Sequence, residues 1–170
     1  LGRDQLSRLI YGGRVSLTVG LSSVIASVSM GLLIGAIAGY AGGAVDFWLM
    51  RLVDVLLAFP GMLLAIALAA VFGPGLPNVV LALSLVGWTG YARLVRGEVL
   101  AIRERDHVEA AVALGVGGPS ILLRHVLPLV VAPLAVQATF GVAGAIVGEA
   151  SLSFLGLGVQ APTPSWGSMI

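Results

Sequence analysis

Residues 15–45 read VSLTVGLSSVIASVSMGLLIGAIAGYAGGAV, and none of these 31 residues is charged. The hydrocarbon core of a bilayer needs about 20 apolar residues per helix, so this stretch alone predicts a membrane-spanning segment. Two further uncharged runs cover 38 residues at 55–92 and 23 residues at 126–148. Together, the three runs predict an all-α, polytopic integral membrane protein.

The composition of the 170-residue chain supports the same fold class. Hydrophobic residues make up 58% of the chain and charged residues only 10%, whereas soluble domains carry about 25% charged residues. Mean hydropathy is +1.06. These values exclude an ordinary soluble enzyme, a nucleic-acid-binding module and a disordered tail. The net charge of +1 indicates no nucleic-acid partner, and the absence of cysteine excludes disulfides and thiolate chemistry.

Hydropathy and turn residues together predict four spans, at residues 16–40, 47–72, 78–94 and 125–148. Gly31, Gly35 and Gly39 follow GxxxG spacing in the first span, which favours close helix packing. Glycine is also simply common in membrane helices. Pro128 and Pro133 remove backbone hydrogen bonds in the fourth span, and we expect kinks there.

Both ends of the chain are predicted to lie outside these spans. Residues 1–14 place leucine and isoleucine at helical spacing among three arginines and an aspartate, which predicts an amphipathic interfacial segment before a transmembrane domain at 15–170. Residues 150–170 are uncharged and interrupted by proline and glycine every few positions. This pattern predicts an ordered loop at the membrane surface.

Charge is concentrated between positions 93 and 124, which hold five arginines and four acidic residues. A segment this charged between two spans must lie in water, and its arginines favour the cytoplasmic side. Three spans then place residues 1–14 on the outer side, despite their arginines. Because interfacial arginines snorkel to the membrane surface, we give the central segment more weight in assigning the orientation.

The order of residues in this segment predicts two helices joined by a glycine turn. Residues 104–114 form a helical run with Val108, Ala111 and Leu114 on one stripe. Glycines at 115, 117 and 118 interrupt it, and Pro119 is typical of the first turn of a second helix. The result is a compact knob that could dock into a groove on another protein, or a solvated connector that binds nothing.

The same segment contains Glu109, Ala110 and Ala111, then Gly115, and ends in HVLP at 125–128. This spacing resembles the EAA loop of bacterial ABC importer permeases, E-A-A-x3-G-x9-I-x-L-P, with His in place of Ile. The loop would cover residues 96–125. The RHVLP form is similar to the dipeptide, oligopeptide and nickel branch. Four other stretches resemble the C-type subunit of that branch: GRD at 2–4, MRLVD at 50–54, YARLVR at 91–96 and EASLSFLGLG at 149–158.

The resemblance implies a type I ABC importer permease, an all-α bundle with a cytoplasmic coupling loop, in the inner membrane of a bacterium or archaeon. It would import peptides or nickel together with a second permease subunit, cytoplasmic ATP-binding subunits and an external solute-binding protein. Such subunits usually have six spans, so the first and last spans are expected outside residues 1–170. The chain has no GxxxxGK[ST] motif, so ATP and Mg²⁺ would be bound by the partner subunits and this chain would be neither an enzyme nor a cofactor protein.

The resemblance also assigns roles to residues in the loop. Its members would be Glu109, Ala110, Ala111, Gly115, Gly117, Pro119, Leu127 and Pro128. Glu109 would hold the loop through polar contacts within it or to an ATPase arginine. Gly115 would supply a backbone angle that other residues resist, and the alanines would permit close approach to the partner.

Three charged residues outside the loop are also candidates. Arg51 and Asp54, at i and i+3, predict an intrahelical ion pair, with gating as the alternative. Glu149, near the outer end of the fourth span, predicts an interfacial carboxylate or a contact with substrate or the binding protein. His107 and His125 are too isolated to indicate a metal site, and no catalytic constellation is evident.

Two other classes of function compete with the ATP-driven permease. A secondary transporter would show internal repeats and buried charges along an ion path. We predict no buried charge in the interiors of the spans, and residues 15–72 and 78–148 show no repeat. A membrane scaffold protein would not need a cytoplasmic knob. Contact of the loop with an ATPase would separate both from the permease.

Overall fold

The computed structural model describes residues 4–160 and 163–169, and no β-strand occurs among them. The helices are α1 (Gln5–Ala41), α2 (Gly43–Leu57), α3 (Gly61–Phe72), α4 (Leu76–Arg103), α5 (Asp106–Ala113), α6 (Gly118–Ile121) and α7 (Leu127–Phe154). A π-helical turn at Leu122–Val126 joins α6 to α7, and a 3₁₀ turn covers Gly167–Met169. The prediction of an all-α fold is confirmed.

Three helices in the described part of the chain are long and apolar enough to cross a membrane. They are α1, α4 and the continuous helical stretch Gly118–Phe154. The pair α2 and α3 provides a fourth span when it is counted as one bent segment. The described part of the chain therefore holds three candidate spans, or four with the bent pair, in the chain order of the predicted spans. The number four stays a prediction.

The first span starts earlier than predicted. α1 is one continuous helix of 37 residues, and residues 5–14 form its first turns. The segment predicted at 1–14 is therefore helical and continuous with the first span from residue 5 onward, while residues 1–3 lie outside the described part. Its position at the membrane interface stays a prediction. Arginine is a good helix former, so Arg8 and Arg14 do not interrupt the helix.

The second predicted span, residues 47–72, is divided into two helices. α2 ends at Leu57, and Pro60 precedes α3 with φ −58° and ψ 116°. Proline has no backbone N–H and disfavours the α conformation of the residue before it. A single helix therefore does not run through this position.

The third and fourth spans both extend past their predicted ends. α4 continues to Arg103 and carries several arginines of the charged segment on its last turns. α7 continues past Gly148 to Phe154, so the first residues of the predicted loop at 150–170 are helical. Pro133 lies inside α7. The expected kinks at Pro128 and Pro133 stay a prediction.

The chain forms two compact units. One unit comprises Leu1–Ser27, Phe59–Gly87 and Thr139–Ile170, and the other comprises Val28–Ala58 and Trp88–Ala138. The core of the first unit contains Val19, Ala69, Val79, Ala82 and Leu152, and the core of the second contains Val53, Trp88 and Ala92. α1, α4 and α7 each contribute residues to both units.

In the second unit, α1 lies against α4 along its glycines. A Cβ atom added to Gly31 would lie 2.5 Å from Cβ of Tyr91, and one added to Gly35 would lie 2.5 Å from the carbonyl oxygen of Ala92. Gly39 lies similarly close to α4. Real Cβ atoms essentially never come within 3.0 Å of such atoms, so the two helix axes approach to a distance that only glycine permits.

Candidate functional site

Two short helices, α5 and α6, connect α4 to α7 and pack on each other. Asp106 and Glu109 lie in the first turn of α5, where a carboxylate is favoured by the positive end of the helix dipole. Pro119 lies in the first turn of α6, where its missing N–H leaves no helical hydrogen bond unmade. The predicted helix–turn–helix is therefore present. We call residues 106–121 the loop.

Gly115 ends α5 in a Schellman motif. Its N–H donates to the carbonyl of Val112 at 2.9 Å, and the N–H of Val116 donates to the carbonyl of Ala111 at 3.1 Å. Gly115 has φ +79°, a left-handed conformation that strains residues with a Cβ atom. Gly117, expected to act with it, has φ −65°, which any residue adopts.

The turn of the loop exposes apolar side chains. Leu114 is 84% exposed and Val112 is 58% exposed, whereas Val108 and Ala111 are buried. The predicted stripe of Val108, Ala111 and Leu114 therefore holds for its first two members only, because α5 ends at Ala113 and Leu114 already belongs to the turn. Val112 and Leu114 therefore lie exposed, close together in sequence, at the turn of the loop.

The polar member of the motif points away from the rest of the chain. Glu109 is exposed, and its carboxylate takes part in none of the salt bridges among the described residues. The predicted alternative in which Glu109 holds the loop internally therefore has no contact to support it. Ala110 is exposed beside it, while Leu127 begins α7 and donates its N–H to the carbonyl of Leu122 across the π-turn.

Asp54 pairs with a residue that sequence spacing did not indicate. Its carboxylate accepts a hydrogen bond from Arg93 of α4 at 2.6 Å, and Arg51 instead places its guanidinium over the ring of Phe47 at 5.5 Å. The predicted pair of Arg51 and Asp54 is therefore wrong. A role of these residues in gating stays a prediction.

The structure contains a second ion pair between α2 and α4 that the sequence analysis did not predict. Arg96 donates from Nε to Oδ1 of Asp46 at 2.5 Å and from Nη2 to Oδ2 at 2.6 Å. The two residues are 50 positions apart, so no helical periodicity relates them. The signal available in the sequence was that each is a charge in a largely apolar helix, which marks a functional candidate by default.

Glu149 is fully buried in the first unit. The hydroxyl of Ser153 donates to its Oε1 at 2.6 Å. The carboxyl group of Glu149 is thus enclosed by the protein itself. Its position at the membrane interface, and a contact with substrate or the binding protein, stay predictions. Trp166 also donates its backbone N–H to the hydroxyl of Ser16 at 3.2 Å, which brings the C-terminal segment against this part of α1.

Metal chemistry finds no support in residues 4–160 and 163–169. No three His, Asp or Glu side chains in these ranges are arranged to hold a metal ion. The features that the structure does assemble are apolar spans, a compact loop with an exposed apolar turn and paired charges between helices. These features define a helical protein with several candidate membrane spans.

Comparison with known proteins gives the family. Residues 31–170 match the family described as "Binding-protein-dependent transport system inner membrane component", and the chain belongs to this family. The chain is 48% identical over 170 residues to the di/tripeptide transport system permease protein DppC of Pseudomonas aeruginosa (strain UCBPP-PA14), which covers 100% of the chain and 56% of that protein.

Two other relatives carry related names. The glutathione transport system permease protein GsiD of Pectobacterium atrosepticum is 44% identical, over 100% of the chain and 56% of that protein. The oligopeptide transport system permease protein OppC of Haemophilus influenzae is 43% identical, over 99% of the chain and 54% of that protein. The chain thus spans about half the length of these relatives.

Proposed function

We propose that this chain forms part of a permease subunit that imports short peptides across the cytoplasmic membrane of a bacterium or archaeon. Family membership supports a role in membrane transport. The relatives described above are named for di/tripeptide, oligopeptide and glutathione transport, which supports peptides as the cargo in preference to nickel.

The permease works with partners that this chain does not contain. We assign ATP and Mg²⁺ to separate cytoplasmic ATP-binding subunits, delivery of the peptide to an external solute-binding protein, and the other half of the pathway to a second permease subunit. The chain itself is not an enzyme in this proposal. Its spans change between inward-open and outward-open states, and ATP shifts that equilibrium through its different affinity for the two states.

The observation that carries the proposal is the exposed apolar turn of the loop. Leu114 and Val112 are exposed on a turn whose backbone is held by the Schellman hydrogen bonds of Gly115. A turn of fixed shape loses little conformational entropy when it binds. The exposed carboxylate of Glu109 adds a group that pairs with an arginine of the ATP-binding subunit.

Cysteine crosslinking tests this proposal directly because the chain has no native cysteine. Ala113→Cys places a thiol on the exposed end of α5. In the complete permease complex, we expect labelling by a membrane-impermeant thiol reagent from the cytoplasmic side only, and a short crosslink to the ATP-binding subunit that changes when ATP binds. Val71→Cys is the matched control, since Val71 is 81% exposed at the end of α3, on the opposite side in the proposed orientation.

The outcomes separate the competing functions. Labelling of Ala113→Cys from outside inverts the proposed orientation and contradicts the proposal. Cytoplasmic labelling without a crosslink favours an ion-coupled secondary transporter, the alternative that the buried carboxylate of Glu149 supports.

A further inference from the structure

We propose that movement of the loop enters the membrane helices through the corner between α1 and α2, and that Asp46 and Arg96 are the positioning residues for this step. The corner comprises residues 39–46. This inference rests on the proposed coupling of the loop to an ATPase, and it assigns a function to charges that the family motif in the loop does not include.

The corner separates two helices by a single residue. α1 ends at Ala41 and α2 begins at Gly43, and Gly42 and Gly43 have φ values of +65° and +53°. Residues with a Cβ atom resist this left-handed conformation. Two consecutive glycines therefore allow the backbone to leave the helical conformation of α1 and start α2 within one or two residues.

α4 holds the corner on both sides. Arg96 binds Asp46 at the start of α2 through two hydrogen bonds of 2.5 and 2.6 Å. Arg103 donates from Nη1 to the carbonyl of Gly39 at 3.1 Å, at the end of α1 where helix carbonyls lack intrahelical partners. Arg103 is the last residue of α4. The helix that leads directly into the loop therefore binds the corner through its last residue.

The far side of the loop reaches the same corner. A Cβ atom added to Gly118 would lie 3.0 Å from the hydroxyl oxygen of Tyr40, so the start of α6 lies against the last turn of α1. α5 is thus connected to the corner from both of its ends, through α4 on one side and through α6 on the other. A displacement of α5 reaches the corner by both routes.

The Asp46–Arg96 pair is more buried than the neighbouring Asp54–Arg93 pair on the same two helices. The side chains of Arg96 and Asp46 are 32% and 17% exposed, whereas those of Arg93 and Asp54 are 57% and 51% exposed. Exposed ion pairs contribute little because water screens them, and breaking a more buried pair leaves a charge without its partner. The pair of Asp54 and Arg93 is therefore the matched control.

The experiment measures peptide uptake per ATP hydrolysed by the complete permease complex in proteoliposomes. We expect Asp46→Asn to lower this ratio roughly tenfold, because the part-buried guanidinium of Arg96 loses its counter-charge. The exchange Asp46→Arg with Arg96→Asp restores the pairing and is expected to recover most of the ratio. Asp54→Asn removes a more exposed carboxylate from the same two helices and is expected to lower the ratio less than Asp46→Asn does.

An unchanged ratio in Asp46→Asn overturns the inference. If both Asp46→Asn and the exchange fail to assemble with the other subunits, the pair serves only folding, and the inference is again overturned. The crosslink of Ala113→Cys keeps the two proposals distinguishable. If the crosslink forms and Asp46→Asn leaves uptake per ATP unchanged, only the role of the corner is contradicted. If the crosslink is missing, the proposed function itself is contradicted.

Discussion

The hydroxyl of Ser16 on α1 donates a hydrogen bond of 2.9 Å to Oε2 of Glu149 on α7, across 133 positions of sequence. Ser153 occupies the other carboxylate oxygen, so each oxygen of this fully buried group accepts a hydroxyl. Buried polar groups are stable when they are paired in this way and costly when they are not. The pair therefore ties the first and last described membrane helices together within the first unit.

Removal of this carboxylate should destabilise the protein. We expect Glu149→Ala to lower the free energy of unfolding by about 2–3 kcal/mol, because the buried hydroxyl of Ser16 and the part-buried hydroxyl of Ser153 lose their acceptor and a cavity remains. Glu149→Gln keeps the shape and one acceptor oxygen, and should cost about 1 kcal/mol. Thermal unfolding in detergent measures both. Ser151→Ala is the control, since Ser151 bonds only to its own helix at Val147, and equal stability of all variants contradicts the prediction.

Gly115 and Gly117 form a matched pair for testing backbone strain. Neither has an atom within 4 Å of an added Cβ, but only Gly115 has a positive φ, of +79°. Gly115→Ala should therefore cost about 1–2 kcal/mol of loop stability through strain alone, and Gly117→Ala should cost almost nothing. We expect Gly115→Val to insert into the membrane but to lose peptide uptake in proteoliposomes. Equal uptake by the Gly115 and Gly117 variants would contradict this prediction.

The close contact of α1 with α4 predicts that alanine destabilises the protein at one glycine and stabilises it at another. Gly35→Ala places a methyl group against the backbone of Ala92 and should destabilise the protein by about 1–3 kcal/mol through overpacking. Gly90→Ala, on α4, meets nothing within 4 Å and should stabilise its helix by up to about 1 kcal/mol. Thermal stability and monodispersity on size-exclusion chromatography measure the difference. Similar losses at both positions would show that the separation of α1 and α4 is not limited by glycine.

Asp4 predicts a pH dependence at the start of α1. The Ser7 hydroxyl donates to its carboxylate at 2.5 Å and the Leu6 N–H at 3.0 Å. These hydrogen bonds, that of Ser7 first, hold the pKa of Asp4 below its ordinary value of 3.8. A lowered folded-state pKa means that Asp4 stabilises the helix end above pH 3.8 and that this contribution is lost as pH falls through the folded-state pKa.

Carbon-13 NMR titration of the Asp4 carboxyl measures this shift. We expect Ser7→Ala to move the midpoint to higher pH, towards the ordinary value of 3.8. Thr18→Ala is the control, because the Thr18 hydroxyl bonds to the backbone of Arg14 and not to Asp4. An Asp4 midpoint that Ser7→Ala leaves unchanged would remove the basis for this pH dependence.

The features that the sequence predicted are those decided by local chemistry. The GxxxG spacing of Gly31 and Gly35 follows from helical periodicity, and the two glycines do lie against α4. The turn at Gly115 follows from the conformational freedom of a single residue. The uncharged runs likewise predicted the spans, because their length alone decides whether they cross a bilayer.

The features that the sequence did not predict depend on distant parts of the chain. Asp54 has Arg51 three positions away, but its partner is Arg93, because the packing of α2 on α4 brings that side chain closer. Glu149 is buried because α7 continues to Phe154 and because Ser16, far away in sequence, turns towards it. No spacing rule for a single helix contains this information.

The π-turn at Leu122–Val126 has a consequence for building chimaeras between relatives. A π-turn accommodates one residue more than an α-turn over the same rise, and such turns occur mostly as single insertions within helices. Here it lies between α6 and α7, directly ahead of the proline at position 128. Loops that differ in length by one residue should therefore be exchangeable at this junction, with the difference absorbed in these five residues and the rotational setting of the following span preserved.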